Sequence, residues 1–198
     1  MSQSHKRIFV VIPAKGKSKR LKNKNILPIK KTPMFVYVAN KIKKSTKIYD
    51  VIVSTEDKKI IDICKKNNIN FIKRPVKLTR SNIEKQEAVV HATKFLIKKK
   101  LNPYTIISLQ PNSPQVTLKD LHAALNFFNK KLYVKEKIKE LICVNRNNIQ
   151  NPSFRILTVN AVFQKTLSTK IGIYKADYID VHTKSDYIKV KKIIEKKI

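Results

Sequence analysis

The chain has 198 residues, 42% of them apolar, which is long and apolar enough to bury a core and excludes intrinsic disorder as a class. Forty-four Lys and Arg face 13 acidic residues, a formal charge of +31. No apolar run approaches the roughly 20 residues of a bilayer span, which excludes an integral helical membrane protein.

Met1 to Arg7 is polar and leads into Ile8-Phe9-Val10-Val11-Ile12, a run too short for the apolar part of a signal peptide and interrupted by Pro13. A cytoplasmic protein is expected, forming a single domain over residues 1–198, with no membrane partner. Cys64 and Cys143 lack metal-type spacing and read as reduced, packed thiols. The cationic excess points to a polyanionic partner or an anionic ligand. The alternative is compositional: the cations are nearly all lysine, with arginine only at 7, 20, 74, 80, 146 and 155, and glycine only at 16 and 172. An AT-rich genome favours that mix. Aromatics are not interleaved with the basic runs, so no specific nucleic acid is expected.

In chain order, Arg7–Pro13 reads as the first strand and Ala14–Asn25 as a basic loop. Pro33 opens a helix to about Lys44, since its missing N–H costs nothing there. Tyr49–Ser54 is a strand, Asp57–Asn67 a helix and Ile69–Ile72 a third strand. After the loop Lys73–Arg80, Ser81 and Glu84 form a capping box for a helix to about Lys99. Tyr104–Leu109 is the fourth strand. Thr117 and Asp120 cap a helix to about Asn129. Leu141–Asn145 and Ile171–Tyr174 read as strands and Phe154–Phe163 as extended. Tyr178–Val181 is the expected final strand. Thr183 and Asp186 then cap a last helix, with Tyr187, Ile188, Val190, Ile193 and Ile194 on its apolar side.

Strands alternating with helices predict an α/β fold, a Rossmann-like three-layer sandwich with a mainly parallel, mixed sheet. Ligands in such folds sit at the carboxyl ends of strands. The loop there, Ala14 to Asn25, carries Lys15, Lys17, Lys19, Arg20, Lys22 and Lys24, and can supply a phosphate group with cations and backbone donors. It lacks P-loop spacing and the glycines of a dinucleotide fingerprint. On charge alone it reads equally well as a solvated basic loop.

The wording of the loop says more. Pro13-Ala14, Gly16, Ser18-Lys19 and Lys24-Asn25 resemble the opening motif of the CMP-sialic acid synthetases and their Kdo and pseudaminic acid relatives. Val53-Ser54-Thr55, Arg74-Pro75, Leu109-Gln110-Pro111-Asn112-Ser113-Pro114 and Ile179-Asp180-Val181-His182-Thr183 match further motifs of that family in the same order. The resemblance covers nearly the whole chain and thins between about Lys130 and Asn160.

It implies the nucleotide-diphospho-sugar transferase type of fold, and a cytidylyltransferase that joins CMP from CTP to an acidic sugar with release of pyrophosphate. Lys15, Lys24 and Asp180 would carry the chemistry. Lys15, Gly16, Ser18, Lys24, Asn25, Arg74 and Gln110 would bind the nucleotide. Asp180, with His182 as its partner, would hold Mg2+ or Mn2+. CTP and the sugar are the implied partners, with a homodimer weakened by the short 151–160 region. Without the resemblance, Arg74 and Gln110 read as loop and turn residues, and Asp180 as an exposed or capping carboxylate.

Several positions depart from the family's pattern. Lys17, Arg20 and Asn23 replace loop glycines, and only Asn23 tolerates a left-handed backbone well. Ser81, Glu84 and Lys85 differ near the base, Asn160-Ala161 replaces Asn-Gly, and the metal pair is Asp and His rather than Asp and Asp. A catalytically impaired nucleotide-binding relative and a basic nucleic-acid-binding protein are the alternative functions.

Overall fold

The structure is a computed structural model describing residues 6–80, 84–133, 137–166 and 168–196. In chain order its elements are β1 (Arg7–Pro13), a 3-10 turn (Lys24–Ile26), β2 (Pro28–Ile29), β3 (Thr32–Pro33), α1 (Met34–Lys43), β4 (Asp50–Thr55) and α2 (Lys58–Lys66). There follow β5 (Asn70–Lys73), a 3-10 turn (Val76–Thr79), α3 (Lys85–Lys98), β6 (Pro103–Leu109), α4 (Leu118–Tyr133), β7 (Glu140–Val144), β8 (Gln150–Thr158), α5 (Val159–Val162), β9 (Ile171–Lys175) and α6 (Lys184–Glu195).

Seven strands form one sheet in the order β5-β4-β1-β6-β8-β7-β9. The pairs β5·β4, β4·β1, β1·β6 and β7·β9 are parallel, while β8 runs antiparallel to both neighbours. Both faces are covered, as the continuous apolar run of β1 requires. Val10 and Ile12 point to the layer holding Phe35 of α1, Cys64 of α2 and Phe128 of α4. Phe9 and Val11 point to the opposite layer, with Val89 and Leu96 of α3 and Ala161 of α5. This alternation with period two gives the expected three layers. A third cluster seats Val190 and Ile194 of α6 against Ile29 and Met34. Cys64 and Cys143 are buried free thiols, as expected.

The differences from the sequence reading have local causes. Tyr178–Val181 is not a strand. Its backbone groups are taken by side chains and isolated bonds instead of a ladder. Asn151 donates to the Tyr178 carbonyl, the Ile179 N–H donates to Gln115, and the Val181 N–H donates to the Asn112 carbonyl. Phe154–Phe163 is extended only to Thr158. The Thr158 hydroxyl then accepts from the Ala161 N–H and caps α5, a helix too short to show a period. Pro33 is the N-cap of α1 and also closes an unforeseen β2–β3 hairpin. Helix α4 runs on to Tyr133, and Ile188 of α6 is exposed. Ser81, half of the expected capping box, lies outside the described residues, and α3 starts from Glu84 without a side-chain cap bond. The Thr117–Asp120 and Thr183–Asp186 boxes are both formed.

Candidate functional site

The carboxyl ends of β1, β5 and β6 open onto a cleft of about 480 Å³. Lys15, Lys17, Lys19, Arg20 and Lys24 line one wall, and Arg74, Arg80 and Lys85 the other. Gln110, Ser18, Asn25 and His182 also face it. The positions singled out from the sequence around this loop, Lys15, Ser18, Lys24, Asn25, Arg74, Gln110 and His182, therefore meet in one concavity. Gly16 lies directly behind the wall.

The loop is held from within. Asn25, buried, donates to the Lys15 carbonyl at 2.9 Å. Asn23 takes the left-handed conformation at φ 56°, ψ 24° and starts the 3-10 turn that presents Lys24 and Asn25. Lys17 and Arg20 keep negative φ, so this loop needs a left-handed residue only at Asn23 and their replacement of glycine stores no backbone strain. A Cβ on Gly16 would lie 1.9 Å from Oδ2 of Asp57, the N-cap of α2, so glycine here is fixed by close approach.

Arg74 is buried, and its Nε and Nη2 donate to Oε2 of Glu56 at 3.1 and 2.8 Å. Oε1 of Glu56 accepts the Gly16 N–H at 2.9 Å. Glu56 was missed from the sequence, although it directly follows Val53-Ser54-Thr55 at a strand's carboxyl end, where ligands gather.

Asp180 is locked by two residues of the Leu109–Pro114 segment. Asn112 Nδ2 and Ser113 Oγ each donate to its Oδ1 at 2.7 Å. Its Oδ2 lies 2.7 Å from Nε2 of His182, an ion-pair contact off the line of a hydrogen bond, with no other partner among the described residues. Asn112 and Ser113 sit in a motif read from the sequence, where only Gln110 was given a role. Gln110 itself is buried, and its N–H donates to the Ser153 carbonyl.

On the other side of the ring, Nδ1 of His182 is 2.9 Å from Nη2 of Arg20 and 3.5 Å from Nζ of Lys24. Arginine is donor only, so Nδ1 accepts and the ring proton sits on Nε2. Burial lowers the His182 pKa below the ordinary value; Asp180 opposes this, and Lys24 and Arg20 add to it. Lys24 also donates to the Val181 carbonyl at 3.2 Å. Burial lowers its pKa to about 8, against the attraction of Asp180 and with the repulsion of Lys85, Arg20 and Lys15. Asp186 stays outside this group. Burial pushes its carboxyl up, but the N–H groups of His182 and Thr183 more than offset that and hold it below the ordinary value, as fits a helix cap. Among the described residues no cluster of three or more His, Cys, Asp or Glu is placed to hold a metal.

Residues 9–175 match the family described as Cytidylyltransferase. The chain belongs to the cytidylyltransferase family. Among curated cytidylyltransferases, an N-acylneuraminate cytidylyltransferase of Escherichia coli is 27% identical over 146 residues, 72% of this chain and 32% of the relative. A 3-deoxy-manno-octulosonate cytidylyltransferase of Psychrobacter sp. is 38% identical over 58 residues, 29% of this chain and 21% of the relative. The matches thus span about a fifth to a third of these relatives' length. In fold, the chain is similar to a CMP:2-keto-3-deoxy-manno-octonic acid synthetase complexed with CTP. The TM-score is 0.76 at 14% identity, covering 97% of this chain and 100% of the other. A cytidylyltransferase of Leptospira borgpetersenii gives a TM-score of 0.74 at 19% identity, covering 98% and 89%. Both the sialic acid and the Kdo branches of the cytidylyltransferases are therefore represented among its relatives. No helix among the described residues is long and apolar enough to cross a membrane.

Proposed function

We propose that this chain transfers CMP from CTP to an acidic sugar, a sialic acid, a related nonulosonic acid or Kdo, with release of pyrophosphate. The observation that carries the reading is the meeting of Lys15, Lys24, Arg74 and Gln110 in one cleft, with Asp180 directly behind His182 of its lining. A triphosphate matches the cationic wall in charge, and the relatives' names supply the cytosine and the sugar. Lys15 and Lys24 neutralise the phosphates, and Gly16, Ser18 and Asn25 shape the loop around them. Arg74 and Gln110, half a cleft away, take the cytosine. The anomeric hydroxyl of the sugar attacks the α-phosphate, and catalysis is mostly positioning and charge neutralisation.

Asp180 suits a divalent cation. Its Oδ2 is a buried carboxylate oxygen met only by Nε2 of His182, out of hydrogen-bond alignment, and its Oδ1 is fixed by Asn112 and Ser113. Mg2+ typically uses one or two carboxylates, with phosphates and water completing its shell. When bound it would neutralise charge on the phosphates. His182 would join as a ligand only by giving up Arg20 and Lys24 at Nδ1 or by shedding the Nε2 proton. We propose Mg2+ or Mn2+ as the cation and a homodimer as the assembly; equilibrium sedimentation tests the latter.

Pyrophosphate release is the decisive assay, with CTP and a panel of nonulosonic acids and Kdo. Release with at least one acid sugar and CTP, and none with ATP or GTP, is expected. CTP should also raise the melting temperature more than ATP or GTP. Equal shifts with all three would reduce the cleft to a generic polyanion site.

A further inference from the structure

Glu56 ties the basic loop to Arg74 across the cleft's floor of strand ends, one carboxylate oxygen to each. One carboxylate oxygen takes the Gly16 N–H, on the phosphate side, at 2.9 Å. The other takes Nε and Nη2 of Arg74, on the opposite wall, at 3.1 and 2.8 Å. The Arg74 and Glu56 side chains are 4% and 13% exposed, so the pair is largely removed from water and held tightly. Two more bonds fix the strand ends around it: the Arg74 N–H donates to the Thr55 carbonyl at 2.9 Å, and the Ala14 N–H donates to the Ser54 carbonyl at 3.0 Å.

We infer that Glu56 is a positioning residue for nucleotide selection: it fixes Arg74 so that only the Nη1 side of its guanidinium is left for a base, and locks that orientation to the phosphate loop through Gly16. The inference rests on the proposed nucleotide reading of the cleft. With Nε and Nη2 committed, the guanidinium cannot rotate to suit other bases. Its remaining N–H groups meet the acceptors O2 and N3 of cytosine. Uracil carries a hydrogen on N3 and meets the same donors with a donor. A negative charge is otherwise a poor neighbour for a triphosphate. Glu56 is tolerated because both its oxygens are already engaged by Gly16 and Arg74.

Both Glu56 oxygens act as acceptors, which makes Glu56→Gln informative. An amide of the same length has one acceptor and one donor: with its NH2 turned to Arg74 it releases the guanidinium, and with its NH2 turned to Gly16 it breaks the tie that holds Arg74's orientation to the phosphate loop. Charge and positioning then predict opposite results. Removing an anion from a cationic cleft should by itself tighten every polyanion. Loss of positioning should weaken CTP selectively.

The test is titration calorimetry of the full chain with CTP, UTP and inorganic tripolyphosphate. In Glu56→Gln, CTP affinity should fall at least about tenfold and the CTP-over-UTP preference should approach one, while tripolyphosphate binds as well or better. A parallel fall for tripolyphosphate, or an unchanged CTP-over-UTP ratio, would overturn the inference. Should Glu56→Gln fail to fold, Glu56→Asp carries the test. It keeps both acceptors but is one methylene short of spanning both partners, and the CTP-over-UTP ratio should drop at least about threefold with tripolyphosphate unchanged. If the wild-type chain itself shows no CTP-over-UTP preference, the nucleotide reading fails before Glu56 is reached.

Discussion

Arg20 holds His182 by a single contact, Nη2 to Nδ1 at 2.9 Å, and so decides which nitrogen of the ring carries the proton. In the motif resemblance read from the sequence, Arg20 falls on a glycine position and His182 on an acid's. The two replacements meet in space, 162 residues apart in sequence. Each makes sense beside the other: an imidazole accepts from the guanidinium without a second negative charge on the rim.

This pairing governs what an acid at 182 can do. In His182→Asp, the new carboxylate faces Arg20 and Lys24 before it faces a cation, so Mg2+ affinity should rise by less than about threefold. Arg20→Gly with His182→Asp frees that carboxylate, and the gain should reach roughly tenfold, a coupling of at least about 0.7 kcal/mol where Arg20→Gly alone leaves Mg2+ affinity unchanged. Mg2+ titration followed by pyrophosphate release measures both. A double variant that equals the sum of the singles would show that Arg20 and His182 act independently.

Asp180→Asn separates charge from shape. The amide oxygen still accepts from Asn112 and Ser113, so the melting temperature should move by no more than about 3 °C. Pyrophosphate release should fall roughly 100-fold or more, because the negative charge proposed to hold the cation is gone. Unchanged turnover would remove Asp180 from the chemistry.

The sequence exposed those parts of the molecule whose causes are local. The apolar run of β1, the periodic faces of α1 and α2, and the Thr117–Asp120 and Thr183–Asp186 boxes are each written in a few adjacent residues. So were the motifs at the strand ends, and the fold brings them into one cleft. What stayed hidden depends on distant partners. Tyr178–Val181 has strand-like residues, but Gln115 and Asn151 and the Asn112 carbonyl take its backbone groups. His182 faces the basic loop directly and Asp180 stands behind it, through that irregular segment and not through a strand's alternation. Glu56 has no signature of its own until Gly16 and Arg74 are seen on either side of it.

The β2–β3 hairpin offers a stability test away from the cleft. Its two-residue turn, Lys30-Lys31, has φ of 47° and 62°, values that suit Asn-Gly and strain lysine. Lys30→Asn with Lys31→Gly should stabilise the chain by about 1 kcal/mol and raise the melting temperature by roughly 2–4 °C. Denaturant unfolding checks it. A lower midpoint would mean that the two lysines make compensating contacts.

Lys24 gives the cleft a pH dependence with a definite sign. Its pKa is lowered from the ordinary lysine value of 10.5 to about 8 in the folded chain, chiefly through burial. Between those values the unfolded chain holds a proton that the folded chain has lost, so stability from this group rises as pH increases from about 8 to 10.5. Nucleotide binding runs the other way. A phosphate beside Lys24 favours the ammonium form, so CTP should bind more weakly as pH rises past 8 and should take up a proton when it binds there. Calorimetry at pH near 8.5, in two buffers of different ionisation enthalpy, should report uptake of up to about three-quarters of a proton per CTP. Lys24→Arg keeps the charge and cannot titrate in this range, so the uptake should vanish while binding survives. Uptake that persists in Lys24→Arg would assign the proton to another group and leave Lys24 without contact to the phosphates.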